Sequence, residues 1–166
     1  MTTRRSVLLG GSALAALGVL GFAFRPSGSP IAAEGNFEVA LSDDEWRSRL
    51  SGEAFEVLRN HGTERPYTSP LNEEYRAGTF VCAGCDLPLF SSETKYDSRT
   101  GWPSFWDYLP DSLGTSEDNA FMMVRTEVHC ARCGGHQGHV FEDGPEPTGL
   151  RYCINGVALK FEPTAA

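Results

Sequence analysis

Residues 129–161, HCARCGGHQGHVFEDGPEPTGLRYCINGVALKF, carry three of the chain's five cysteines and three of its four histidines. Within them Arg151-Tyr152-Cys153-Ile154-Asn155 alternates in polarity, and on a β-strand successive side chains point to opposite faces. The pattern predicts a strand with Tyr152 and Ile154 toward a core and Arg151, Cys153 and Asn155 on the other face. There a guanidinium can favour the thiolate, and an amide can hold an oxygen-bearing substrate. The plainer reading makes Cys153 a small buried apolar residue, as free cysteines usually are. Val157, Leu159 and Phe161 alternate with Ala158 and Lys160, which predicts a half-buried strand over 157–161 beside that face. Asn155-Gly156 ahead of it predicts a tight turn or bulge.

Just upstream, Gly134-Gly135-His136-Gln137-Gly138-His139-Val140-Phe141 places two imidazoles among three glycines. The glycines argue against a stable helix and predict a loop whose backbone comes close to whatever binds there. Judged alone, such histidines are as well explained by solvated loop positions or a second metal pair. With Cys153 downstream, a thiol with imidazole acid/base help is the better reading.

Working outward, prolines and glycines recur at short intervals beyond Gly62, and the apolar runs are strand-sized: residues 79–81, 87–90, 121–128, 151–154 and 157–161. This predicts a mainly β domain of antiparallel sheets, preceded by two short helices. Ser42-Asp43-Asp44-Glu45 matches a capping box with acids at the positive helix end, and Trp46 and Leu50 give that helix a buried side. A second helix, over about 53–60, packs Phe55 and Leu58 and stops at Gly62.

Cys82-Ala83-Gly84-Cys85 and Cys130-Ala131-Arg132-Cys133 are two C-x-x-C knuckles. Each can bring two thiolates to one tetrahedral ion at about 2.3 Å per bond, and four sulfurs make a closed structural zinc site. The 44 residues between the pairs exceed the usual ribbon spacing, and two disulfides are the competing reading. Between the knuckles, residues 95–106, KYDSRTGWPSFW, hold two tryptophans and a phenylalanine on a proline-kinked loop. They serve either as core or as an apolar wall for a small methyl- or sulfur-bearing group.

At the other end, Arg4-Arg5 precedes an apolar run from Val7 to Phe24 that is moderated by four glycines. It resembles a twin-arginine export signal. The run reaches about 27 Å as a helix, so residues 1–33 are read as an export segment, either cut near Ala33 or kept as an N-terminal anchor. Residues 34–40 are read as a linker and 41–163 as one domain. An exported chain meets an oxidising compartment, but twin-arginine substrates cross already folded, so the thiolates can capture zinc beforehand. The 166 residues carry a formal charge of −8, and residues 34–166 alone carry 11 basic against 22 acidic groups. That balance opposes nucleic-acid binding. A 40% apolar and 11% aromatic content suffices for one real core.

Gly101-Trp102-Pro103-Ser104-Phe105, the two C-x-x-C pairs, Gly135-His136-Gln137-Gly138-His139-Val140-Phe141, Asp143-Gly144-Pro145 and Arg151-Tyr152-Cys153-Ile154-Asn155 together resemble the peptide-methionine (R)-S-oxide reductase family, B type. So do Trp46, the run from Gly62 to Pro66, and Ser69-Pro70-Leu71. The resemblance implies a mainly β fold of two twisted antiparallel sheets in a barrel-like arrangement, with one structural Zn2+ on Cys82, Cys85, Cys130 and Cys133, remote from the chemistry. It implies Cys153 as nucleophile. His136, His139 and Asn155 would orient and protonate the sulfoxide oxygen, Trp102 would form the methyl-binding wall, Arg151 would support the thiolate, and Phe141 would lie on the substrate side.

The implied reaction is thiolate attack on the sulfoxide sulfur of oxidised methionine in proteins, leaving a sulfenic acid on Cys153. Two departures stand out. Gln137 occupies a position commonly leucine, which is expected to alter packing only. Thr100 occupies a position where many members have a second reactive cysteine, so an external thiol or thioredoxin-like partner is expected to reduce Cys153. A monomer is expected, touching a membrane only through its N-terminal segment. The alternatives are a zinc-stabilised binding module without turnover, which needs no reactive thiol outside the metal set, and a zinc hydrolase, which needs an open coordination position that four cysteines do not leave.

Overall fold

The computed structural model describes residues 35–119 and 123–165. The expected export segment, and residues 121 and 122 of the strand expected over 121–128, lie outside the described residues. Among the described residues no helix is long and apolar enough to cross a membrane.

Helix α1 (Asp43–Arg49) starts on the capping box read from sequence, with the Ser42 amide donating to Glu45 Oε2 at 2.8 Å and the Glu45 amide returning to Ser42 Oγ at 3.4 Å. Helix α2 (Gly52–Asn60) is capped by Ser51 and buries Ala54, Phe55, Val57 and Leu58. Its left-handed terminal residue is His61, at φ 53°, rather than Gly62.

The strands form two antiparallel sheets. In the smaller, β1 (Gly78–Cys82) lies between β2 (Pro88–Ser91) and β9 (Leu159–Pro163). The larger has the order β3 (Lys95–Tyr96), β4 (Ser104–Phe105), β8 (Arg151–Ile154), β7 (His136–Phe141), β6 (Arg125–Cys130), β5 (Leu113–Asp118). The sheets are not closed into a barrel, since β3 and β5 end one and β2 and β9 the other.

Phe80 and Phe90 of the small sheet meet Phe105 of the large one with ring centroids 5.0 and 4.2 Å apart, all three fully buried. Trp46 and Leu58 of the helices join the same cluster. Truncating one of these phenylalanines to alanine costs about 3–5 kcal/mol, so this contact fixes how the sheets face each other.

Two expectations are corrected. The glycine-rich segment 134–141 is not a loop throughout: its second part is strand β7, paired on both sides. A Cβ on Gly138 would collide with the Cys153 carbonyl, so that glycine serves the close approach of β7 to β8. The last strand begins at Leu159 instead of Val157, because residues Gly156–Ala158 make a 3-10 turn. In that turn the Gly156 and Val157 amides are held by Glu64 Oε2 at 2.6 and 3.3 Å. The chain thereby leaves the large sheet just after Asn155 and crosses to the small one.

Candidate active site and metal centre

Strand β8 runs between β4 and β7, with Cys153 in register with Ser104 on one side and His139 on the other. Its alternation is as read from sequence. Tyr152 and Ile154 are buried in the core, and Cys153 and Asn155 line a small cavity of about 120 Å³. Trp102, His139, Phe141 and Thr63 complete much of its wall. That volume suits the end of a side chain, well below the size of a drug-like ligand site. A larger hollow of about 520 Å³ between α2 and residues 62–70 presents no thiol or imidazole.

Burial pushes the Cys153 thiol up, while the Thr100 hydroxyl, 3.8 Å from Sγ, and the Arg151 guanidinium pull it back. Arg151 lies on the expected face but is forked onto Asp143, with Nε and Nη2 at 2.8 and 2.9 Å from the two carboxylate oxygens. Its guanidinium also stacks over Phe141 at 4.3 Å. It acts on the thiol from the side and does not line the cavity.

Asn155 is buried and its amide is fixed at both ends. Oδ1 accepts from the Glu64 amide at 2.8 Å, and Nδ2 donates to the Gln137 carbonyl at 3.0 Å. An amide nitrogen carries two hydrogens, which leaves a donor for a group in the cavity. The Trp102 indole donates to the Glu64 carbonyl at 2.9 Å, so one residue pins both Asn155 and the aromatic wall.

His139 sits beside Cys153 with Nε2 2.7 Å from Asp118 Oδ2. Burial holds it below the usual imidazole range, and Asp118 opposes that shift. His136, by contrast, is set behind the cavity. It is buried, with Nδ1 2.8 Å from Glu127 Oε1, and its ring meets that of His139 edge-on at 5.3 Å. The register slip between Val128 and His129 opposite β7 brings both histidines, three residues apart, onto one face of the strand, where their rings can meet.

The structure therefore brings together Cys153, His139, Asn155, Trp102 and Phe141 around one space, with His136 and Arg151 one layer out. Sequence reasoning assigned no role to Glu64, Asp118 or Glu127. Glu64 lies within the Gly62–Pro66 run, whereas Asp118 and Glu127 are tied to their histidines only through the β5–β6–β7 pairing, which leaves no local signal.

The four knuckle cysteines converge. Cys82 Sγ is 3.7 Å from Cys133 Sγ and Cys85 Sγ is 3.5 Å from Cys130 Sγ, with all four sulfurs within 4.8 Å. A disulfide needs about 2.05 Å, whereas sulfurs on one tetrahedral ion with 2.3 Å bonds lie about 3.8 Å apart. The donor set fits a metal ion. One knuckle closes β1–β2 and the other β6–β7, so the ion would tie the small sheet to the large. Gln137, expected only to alter packing, is fully buried and also donates Nε2 to Cys82 Sγ at 3.5 Å. Its carbonyl holds the Asn155 amides, so the metal centre and the cavity share a neighbour.

A family model described as the SelR domain matches residues 50–163. Curated relatives named peptide methionine sulfoxide reductase MsrB are similar over most of their length. The chain is 52% identical over 127 residues to the protein of Agrobacterium fabrum, covering 76% of this chain and 94% of the relative. It is 56% identical over 121 residues to that of Pseudomonas putida, covering 72% and 91%. For Leptospira interrogans the figures are 50% over 128 residues, 76% and 98%.

Proposed function

Since the chain belongs to the SelR-domain family of MsrB-type peptide methionine sulfoxide reductases, we propose that it reduces the R epimer of methionine sulfoxide in proteins through a sulfenic acid on Cys153. The observation that carries this reading is the placement of Cys153. It is the single cysteine outside the metal set, and it lies on a cavity wall between an imidazole and an amide donor. A binding module of the same architecture has no use for such a thiol.

In the proposed reaction the Cys153 thiolate attacks the sulfoxide sulfur. The attack joins the two sulfurs while the oxygen takes up one proton; transfer of that hydroxyl to the cysteine sulfur then breaks both the S–O and the S–S bond, leaving Cys153 sulfenic acid and the free thioether, and cysteine sulfur gives up the two electrons that the substrate sulfur gains. His139 and the free Asn155 N–H orient the oxygen and assist its protonation. His136 supports His139 from behind, Arg151 and Thr100 favour the thiolate, and Trp102 with Phe141 receives the methyl group. A nucleophile, an oxygen site and a methyl wall fixed relative to one another accept one arrangement of three different groups at sulfur. The hollow of about 380 Å³ beside Trp102, lined by Tyr67, Asn72, Lys95 and Tyr96 among others, suits the polar backbone on either side of a methionine in a polypeptide.

The metal is read as one Zn2+, the ion that four thiolates favour in a closed tetrahedral site. It supplies folding stability and no catalytic step. A monomeric, exported enzyme repairing extracytoplasmic proteins is the setting proposed from Arg4-Arg5 and the apolar run behind them. An external dithiol returns the sulfenic acid to thiol, losing water and becoming a disulfide.

The test is to assay the purified domain with each sulfoxide epimer separately, beside Cys153→Ser. Turnover of the R epimer alone, abolished in the variant with metal content unchanged, is the expected result. Comparable rates on both epimers, or activity surviving in Cys153→Ser, would remove this reading.

A further inference from the structure

Three of the chain's four histidines surround one buried carboxylate. Glu127 Oε1 lies 2.8 Å from His136 Nδ1 and 3.5 Å from His61 Nδ1. Glu127 Oε2 accepts from Ser116 Oγ and lies 3.9 Å from His129 Nδ1. The His61 and His136 rings stack at 4.8 Å. His61 Nε2 and His129 Nδ1 are both buried without a hydrogen-bond partner. Buried polar atoms are ordinarily paired, and the His129 orphan lies on the carboxylate side, whereas the His61 orphan is Nε2 rather than the Nδ1 nearest Glu127.

The donor atoms of His61, Glu127 and His136 all lie within 4.8 Å of one another. Nitrogen and oxygen ligands on a tetrahedral ion with bonds of about 2.0–2.1 Å are separated by roughly 3.3 Å. The observed 2.8 and 3.5 Å separations bracket that value. Two imidazoles and a carboxylate suit a borderline divalent ion. His136 and Glu127 side chains are only 2% and 3% exposed, but His61 is 25% exposed, so an ion has access from the end of α2. His61 is held there in a left-handed conformation that a residue with a side chain seldom adopts.

We propose that His61, Glu127 and His136 form a second metal site, for a divalent transition ion such as Zn2+ or Co2+, distinct from the four-cysteine centre. On binding, the hydrogen bond between His136 and Glu127 gives way and the His136 Nδ1 lone pair turns to the ion. This inference stands apart from the reductase reading. Where both hold, the ion fixes His136 against His139 and makes the oxygen site responsive to metal supply.

The test is a Co2+ titration of tag-free protein whose four-cysteine centre is already filled, followed by calorimetry and visible absorption. One further equivalent should bind, with weak ligand-field bands and no new thiolate-to-cobalt charge transfer. Glu127→Gln and His61→Ala should each weaken that equivalent by more than about tenfold, with the metal in the four-cysteine centre retained. His61→Ala, at the surface end of α2, keeps the test decisive if Glu127→Gln fails to fold. Absence of a further equivalent, or one that survives His61→Ala at full affinity, overturns the proposal.

Discussion

Replacing Glu64 by alanine should destabilise the domain at the turn behind Cys153, and the size of the loss can be worked from its hydrogen bonds. The side-chain oxygen Oε2 accepts from the Gly156 amide at 2.6 Å and from the Val157 amide at 3.3 Å. Gly156 is buried, whereas Val157 is partly open to water. A buried donor left unpaired costs about 1–3 kcal/mol, and bonds to a charged group lie at the upper end. The Gly156 amide therefore dominates, and Glu64→Ala should cost about 3 kcal/mol. For a domain of this size that is a fall of roughly 10 °C in Tm. Glu64→Gln keeps a neutral acceptor in place and should lose about 1 kcal/mol. Both variants retain the backbone bonds from Glu64 to Asn155 and Trp102. Thermal and urea unfolding of metal-loaded protein would measure the order. Equal losses in the two variants would show that the charge of the carboxylate, and not merely an acceptor in that place, carries the effect, and no loss in either would refute the reasoning.

Cys133→Ser should destabilise the whole domain, because a structural zinc site contributes on the order of 10 kcal/mol to folding in small zinc peptides; metal analysis and melting would check it, and wild-type stability in the variant would count against a structural ion. The reactivity of Cys153 should climb with pH through and beyond the ordinary thiol range, since burial raises its pKa; alkylation rates across pH would show this, and a plateau below neutrality would contradict it. Thr100→Val should shift that profile further up, as it removes a hydroxyl that lowers the thiol pKa. Thr100→Cys should place a thiol close to Cys153 and yield an intramolecular disulfide after one turnover, detected by mass mapping; a persistent sulfenic acid would show that the loop carrying residue 100 cannot present it.

How much of this was legible in the sequence follows from which interactions are local. Ser42 with Glu45 and the alternation from Arg151 to Asn155 are short-range patterns, and they placed α1 and β8 correctly. Strand β7 departs from the expected loop because glycine usually marks a loop, while at Gly138 it permits a close strand crossing that depends on β8. Strand β5, Leu113–Asp118, is half-exposed and carries no apolar alternation, so it gave no periodic signal. Strands β3 and β4 are two residues each, too short for any pattern. The site residues on β8 and its neighbours were found through types and faces. Glu64, Asp118 and Glu127 were missed because a supporting carboxylate is defined by the tertiary pairing that brings it to its partner.

The interior position of β8 carries a kinetic consequence. Hydrogen-bonded to β4 on one edge and β7 on the other, Cys153 has no freedom to travel to a second station. Under the proposed mechanism, substrate and reductant must call in turn at the same doorway, framed by Trp102 and Phe141, and neither can be present with the other. The steady state is then ping-pong. At high concentration, methionine sulfoxide occupies the doorway of the oxidised enzyme and holds off the thiol, so the substrate should slow its own consumption unless reductant is raised in proportion.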